Sequence, residues 1–402
     1  MSPHETSYGG RIVQERRRTL NTVRRAVFLV SFPFGILAFV LPVYARRLGA
    51  GALEIGGLFS AFTLMAVVTR PLVGRVLDRF GRRPFFLAGI GCYLLSQVLF
   101  ALSRGMGLLY LARITQGLGA SLLWLSAYTI VADLVSETKR AGGFGRVDEL
   151  SARGALYGAF LGFTILGLLK LRTGWPMMFG SYALLSVWAL WEARQGVAES
   201  RQEMPLASAG GNRLSRPLLF LMLIVFLTGA SSAAVRPLLM VFLQDRFTTD
   251  VGMLALAFIP AALAYSFLPS RLGRVGDRVG RKPMMILGLL AGGMVSLLIP
   301  GVPDLGHLAF LWALEAVCFS ASLPAERALV ADVAGWDVRG TAYGCYTMAS
   351  GLGATVGPFL GGWLYDVHGH ASPFYLNALV LFLGASLVAL LIREHRTPLK
   401  VE

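Results

Sequence analysis

Charge is scarce in this 402-residue chain. Asp, Glu, Lys and Arg make up 15% of it, against roughly 25% in an ordinary soluble domain. That is too little to clothe the cores a soluble chain of this length would bury. Cysteine is scarcer still. Cys92, Cys318 and Cys345 are odd in number and contain no CxxC pair, which excludes a disulfide framework and a zinc site. Five histidines, none deep in an apolar run, argue against a histidine proton relay and give no metal-ligating cluster. Acidic residues are few beside basic ones, 22 against 37, for a formal net charge of +15. The basic residues lie between apolar runs and no nucleic-acid-binding motif accompanies them, so the charge does not point to DNA or RNA. Catalytic signatures are also missing. There is no GxxxxGK[ST] loop to take energy from ATP, no HExxH and no GxSxG. Gly351 and Gly353 begin a GxGxxG pattern, but Val356 stands where its third glycine belongs. No enzyme and no cofactor are expected.

Apolar residues are plentiful, at 55% with a mean hydropathy of +0.64. They gather in twelve segments, roughly 24–45, 53–73, 85–103, 107–132, 155–172, 175–193, 217–243, 250–270, 284–301, 306–331, 341–364 and 372–392. About 20 such residues in a helix cross some 30 Å of hydrocarbon. The expected fold is an all-α membrane protein of twelve transmembrane helices. The polar stretch 194–216 reads as a cytoplasmic linker between two six-helix bundles, residues 1–193 and 217–402. The first apolar run follows an Arg-rich start and lacks a small-residue cleavage pattern, so it reads as a retained span. With the N-terminus inside, 27 of the 37 basic residues fall on the cytoplasmic side and six outside. That bias predicts a cell-membrane protein with both termini cytoplasmic.

The two halves repeat one another. Gly74-Arg-Val-Leu-Asp78-Arg79-Phe-Gly81-Arg82-Arg83-Pro84 returns as Gly273-Arg-Val-Gly-Asp277-Arg-Val-Gly280-Arg281-Lys282-Pro283, 199 positions later. Val131-Ala-Asp133 returns as Val330-Ala-Asp332 at the same shift, and Arg153-Gly-Ala-Leu-Tyr157-Gly158 as Arg339-Gly-Thr-Ala-Tyr343-Gly344 at 186. Two like bundles joined by a polar linker suit a carrier with its site where the repeats meet.

At these residues the chain resembles the major facilitator superfamily, whose best-known signature is GxxxDRxGRR between spans two and three. Gly74, Asp78, Arg79, Gly81, Arg82 and Arg83 meet it, and the second copy departs only at Lys282. The resemblance covers residues 20–395 and implies two pseudo-symmetric six-helix bundles that rock to expose one site to each side in turn. It also implies a cytoplasmic latch built on Asp78, with Arg82 paired to Asp133. For the second copy, centred on Asp277, it implies Arg281 paired to Asp332. Arg113-Ile-Thr-Gln116-Gly117-Leu-Gly119-Ala120 is similar to the family's RxxQGxGxA motif, whose arginine is linked to proton coupling. A guanidinium keeps its charge, so its work would be on a nearby carboxyl or an anion. Gly344, Gly353, Gly357, Pro358, Gly361 and Gly362 meet the spacing of the family's drug/proton antiporter motif. They do so in span eleven, whereas the family carries it in span five, and span five here keeps only Gly158 and Gly167. A glycine row with proline gives a kinkable, closely packed helix.

Ionisable residues at membrane depth are costly and default to function. Glu315 and Glu326, three turns apart on one face of span ten, are the candidate proton carriers, with Arg113 as a third coupling candidate. Gln116, Trp124, Tyr128, Tyr157, Arg236, Tyr265, Tyr343 and Tyr346 are candidate cavity residues, Arg236 being followed by the helix breaker Pro237. The expected function is secondary active transport of a small molecule, with proton-coupled efflux as the leading form. The alternative is proton-coupled uptake of a small organic anion or other metabolite, for which Arg113 and Arg236 would serve. A non-transporting receptor or membrane enzyme is remote. Expected partners are a small-molecule substrate, protons and the lipid bilayer, with no nucleic acid and the chain a monomer.

Overall fold

The computed structural model describes residues 3–135, 140–198, 215–268, 271–272, 275, 278–334 and 339–392. Most of the expected linker, residues 199–214, lies outside them, as do all of Asp277 and the side chains of Asp78, Arg79, Asp332 and Tyr343. The described chain is helical throughout, with no strand among the described residues. In chain order the helices are α1 (Pro3–Val30), α2 (Phe32–Arg47), α3 (Ala52–Phe80), α4 (Arg82–Leu102), α5 (Met106–Leu134), α6 (Arg140–Leu168) and α7 (Leu171–Gly196). They continue with α8 (Arg216–Arg246), α9 (Val251–Phe267), α10 (Arg281–Leu298), α11 (Leu305–Ala334), α12 (Arg339–His368) and α13 (Ser372–Leu391).

The first apolar segment is one span broken into α1 and α2. Ser31 sits at the break, its hydroxyl bonded back to the Val27 carbonyl at 2.7 Å, and Pro33 removes the next donor. Each remaining segment forms one helix. Among the described residues nine spans are long and apolar enough to cross a membrane, the first running Gln14–Arg47 across α1 and α2. Their outer faces carry bare hydrocarbon: Leu168 is 79% exposed, Phe310 67% and Leu390 80%. Such a surface is stable only against lipid, and helices suit lipid because they satisfy their own backbone.

The chain divides into two compact units. One comprises Met1–Leu48 and Ala61–Ala209, the other Gly49–Ser60 and Gly210–Glu402. The start of α3 therefore belongs with the second unit and its remainder with the first. In the first unit Val27, Ile90, Tyr93, Leu123, Ala127, Ile130 and Ala193 share one buried core. In the second, Leu221, Val225, Met285, Leu289, Leu329, Leu381 and Val388 do the same.

The repeat is present in the backbone. Gly81 and Gly280, 199 residues apart, precede α4 and α10 with φ of 91° and 117°, values at which a Cβ would be strained. A Cβ on Gly89 would lie 2.6 Å from the Leu123 nitrogen, and one on Gly288 would lie 2.7 Å from the Ser322 Cβ. Both pairs obey the 199 shift, so α4 crosses α5 as α10 crosses α11.

Candidate functional site

The second unit contains a cavity of about 190 Å³ among α8, α10, α11, α12 and α13. One guanidinium and two carboxyl groups line it: Arg236 from α8 and Glu315 and Glu326 from α11. Thr228, Ser322 and Ser350 add hydroxyls.

The walls follow from the sequence. On α8, Thr228 returns its hydroxyl to the Ile224 carbonyl at 2.8 Å and Ser231 to Thr228 at 3.1 Å, so these groups are satisfied within their own helix. Pro237 has no N–H for the Ala233 carbonyl, and Ala233 is a lining residue. The glycine row of α12 faces α8. A Cβ on Gly353, Gly357 or Gly361 would lie 2.8, 2.1 or 2.6 Å from the carbonyl oxygens of Phe226, Ala230 and Ala234. Only hydrogen fits there, so α12 and α8 touch backbone to backbone. Gly344, at the other end of the row, has open space around it.

The charged groups are arranged in two clusters. Arg236 lays its guanidinium over the Phe319 ring, 4.3 Å from the centroid, and Tyr265 meets the same ring edge-on at 5.7 Å. Glu315 interacts with both Arg236 and Tyr265. Three turns along α11, Glu326 interacts with Tyr346 and with Arg327, and Tyr346 interacts with Arg327 as well. Tyr346 is 4% exposed and sits in the core beside the cavity, as the partner of Glu326. The side chain of Tyr343 lies outside the described residues.

In the first unit the candidates are tied to one another. Arg113 is 5% exposed, donates to Gln116 Oε1 at 2.7 Å and stacks on Phe62 at 4.5 Å. Trp124 and Tyr128 face each other at 5.9 Å, and the Tyr128 hydroxyl donates to Asp148 on α6. Tyr157 is exposed and meets Phe28 edge-on at 6.0 Å. Arg82 Nε donates to Asp133 Oδ2 at 3.1 Å with both side chains almost wholly buried, 1% and 4% exposed. Gly74 faces Leu125 of α5. In the second unit Arg281 donates to the Ala328 carbonyl at 3.4 Å. The Asp332 side chain, like those of Asp78 and Arg79 and the whole of Asp277, is outside the described residues.

Sequence reasoning overlooked Phe319, Asp148 and Asp366. Phe319 offered only an aromatic one turn from Glu315. Asp148 lies between Asp133 and Arg153, where the first half exceeds the second by 13 residues and the repeat offers no guide. Asp366 carried a signal: an acid in the last turn of a helix opposes the helix dipole and calls for a partner elsewhere.

Known proteins match along the whole chain. "Multidrug resistance protein 2" of Bacillus subtilis is 24% identical over 93% of this chain and 95% of its own length. "Tetracycline resistance protein, class E" of Escherichia coli is 27% identical over 96% of both. Among solved structures, a peptide transporter crystallised with sulfate superposes with a TM-score of 0.73 at 14% identity, covering 92% of this chain and 93% of its own. A human organic anion transporter, MFSD10, does so with a TM-score of 0.65 at 19%, covering 93% and 99%. At these identities the structures speak for the fold alone. The Major Facilitator Superfamily pattern itself matches residues 26–221 and again 221–402, so this chain belongs to that superfamily.

Proposed function

We propose that the protein is a proton-coupled exporter of small lipophilic molecules working by alternating access, and that Glu326 and Glu315 carry the coupling. The observation that supports this most is the placing of both carboxylates on one cavity wall. A carboxylate away from bulk water is costly to leave bare, so it holds either a proton or a cationic group. Taking up one as the other leaves links the two fluxes. Tyr346 and the charge of Arg327 act on Glu326, and Arg236 balances Glu315. Arg113 in the first unit, tied to Gln116, serves the same cycle by holding a positive charge in place. The relatives named for multidrug and tetracycline resistance favour export. Charge balance does too. Among the described lining residues one guanidinium faces two carboxylates, a poor site for an anion. We take the protein to be a transporter and not an enzyme. It acts as a monomer in the cell membrane with both termini cytoplasmic, and its bundles are residues 1–193 and 217–402.

Purified protein in liposomes, given a pH gradient and a fluorescent lipophilic amine, tests the coupling. Glu326→Gln and Glu315→Gln should each lower gradient-driven flux at least about ten-fold, equivalent to 1.4 kcal/mol or more. Full flux in both variants would overturn the carboxylate mechanism. Unchanged dye retention in cells with and without the protein would overturn export.

A further inference from the structure

Asp366 stands in the last turn of α12, where its own helix dipole disfavours it. Its carboxylate is directed at the first turn of α3. One oxygen accepts from the Ala52 N–H at 3.1 Å and the other from the Leu53 N–H at 2.8 Å. Glu54 takes the neighbouring Gly51 N–H at 3.0 Å. Three successive amide donors at a helix start, normally orphaned, are thus held by carboxylates.

The contact continues along the two helices. A Cβ on Gly362 would lie 2.3 Å from the Ala52 oxygen, and one on Gly56 would lie 1.9 Å from the Pro358 oxygen. One turn further, Ser60 Oγ accepts the Phe359 N–H at 3.1 Å. Residue numbers rise along α3 as they fall along α12, so the two run antiparallel over about two turns. All these residues belong to the second unit, yet α3 continues unbroken to Phe80, and from Ala61 it belongs to the first. Asp78, the acid of the loop signature, lies in the last turn of the same α3.

We propose that Asp366 is a transport-cycle residue: its carboxylate clasps α3 to α12 at the end of α3 opposite Asp78, and the clasp opens each time the cavity is exposed on that side. This rests on the alternating-access reading. As the first unit moves, α3 moves with it, and the Asp366, Gly56 and Ser60 contacts are what that motion breaks. With the termini cytoplasmic, the clasp lies on the outer side.

The test is labelling of the full chain in intact cells by a membrane-impermeant maleimide. The three native cysteines are replaced by serine, and Ser232→Cys reports from the cavity wall. Asp366→Ala should raise the rate of labelling from outside at least about five-fold and lower it in inverted vesicles. Asp366→Asn should give a smaller change in the same direction, and Ser60→Ala a smaller one again. If Asp366→Ala does not reach the membrane, the other two variants decide. Wild-type labelling rates in variants of unchanged melting temperature would overturn the clasp. Labelling does not require a gradient. If both glutamate variants keep full flux, coupling fails and the clasp stands. If coupling holds and labelling is unchanged, the clasp fails.

Discussion

The two units use one frame for opposite purposes. Gly89 against Leu123 and Gly288 against Ser322 are the same helix crossing repeated. The side chains on either side of the crossing differ. In the first unit Leu123 and Ala127 are wholly buried in the core, and Gln116 is bonded to Arg113. At the same places in the second unit stand Ser322, Glu326 and Glu315, and all three line the cavity. Duplication preserved the contacts that set helix spacing, while the side chains one turn away diverged from packing to chemistry. The glycines mark what both halves need to fold, and under the proposed mechanism the substitutions between them mark what only one half needs for transport.

The comparison breaks most severely if chemistry is moved into the packed half. Ala127 is 0% exposed within the first core. Ala127→Glu would bury an unpaired carboxylate there, at a cost of several kcal/mol. Protein recovered from the membrane should fall sharply, and any that folds should melt far below the parent. Its mirror, Glu326→Ala, should retain or raise the melting temperature while flux is lost. Equal melting of the two variants would mean that the halves do not divide packing from chemistry.

The loop-motif arginines Arg82 and Arg281 sharpen it next. Arg82 and Asp133 form a nearly dry ion pair, so Arg82→Ala takes the guanidinium away from a buried carboxylate, at about 3–5 kcal/mol. The Arg82→Ala, Asp133→Ala double variant should recover part of that loss. Arg281 is only partly buried, where a polar contact is worth less than in a dry site, so Arg281→Ala should cost less than Arg82→Ala. Melting curves in one detergent compare the two directly. Losses of equal size would show that the second half carries the same pair.

Legibility followed distance along the chain and helix rotation. The spans were readable because each is a long apolar run, and the repeat because whole motifs recur with their glycines. Gly81 and Gly280 take matching positive φ for that reason. Arg82 with Asp133 was readable because both halves place an acid at the same offset from the motif. Tyr346 read as a cavity residue because aromatic type says nothing of rotation about the helix axis, which buries it in the core where it interacts with Glu326. Asp366 reaches Ala52 across 314 residues, and nothing local to either announces the pairing except an acid at an unfavourable helix end. The break at Ser31 was hidden inside an uninterrupted apolar run that hydropathy treats as one span.

The smallest effect concerns the basic residue that follows Arg82 and Arg281 in the loop motif. Arg83 donates to the Arg194 carbonyl and Lys282 to the Ala389 carbonyl, each at 2.7 Å. Each carbonyl stands two residues before the end of its helix, α7 or α13, where the orphan oxygens and the negative dipole end collect. A cation there satisfies both, and because each contact uses a single N–H, lysine serves as well as arginine. This accounts for the single departure of the second motif copy at Lys282. Both contacts are exposed, so Arg83→Ala and Lys282→Ala should each cost about 0.3–1 kcal/mol, less at high salt. Arg83→Lys should cost almost nothing. The two alanine losses should add, because the residues share no partner. A loss at Arg83 several times that at Lys282 would mean that arginine there does more than cap a helix, and the equivalence of the two motif copies would end at that residue.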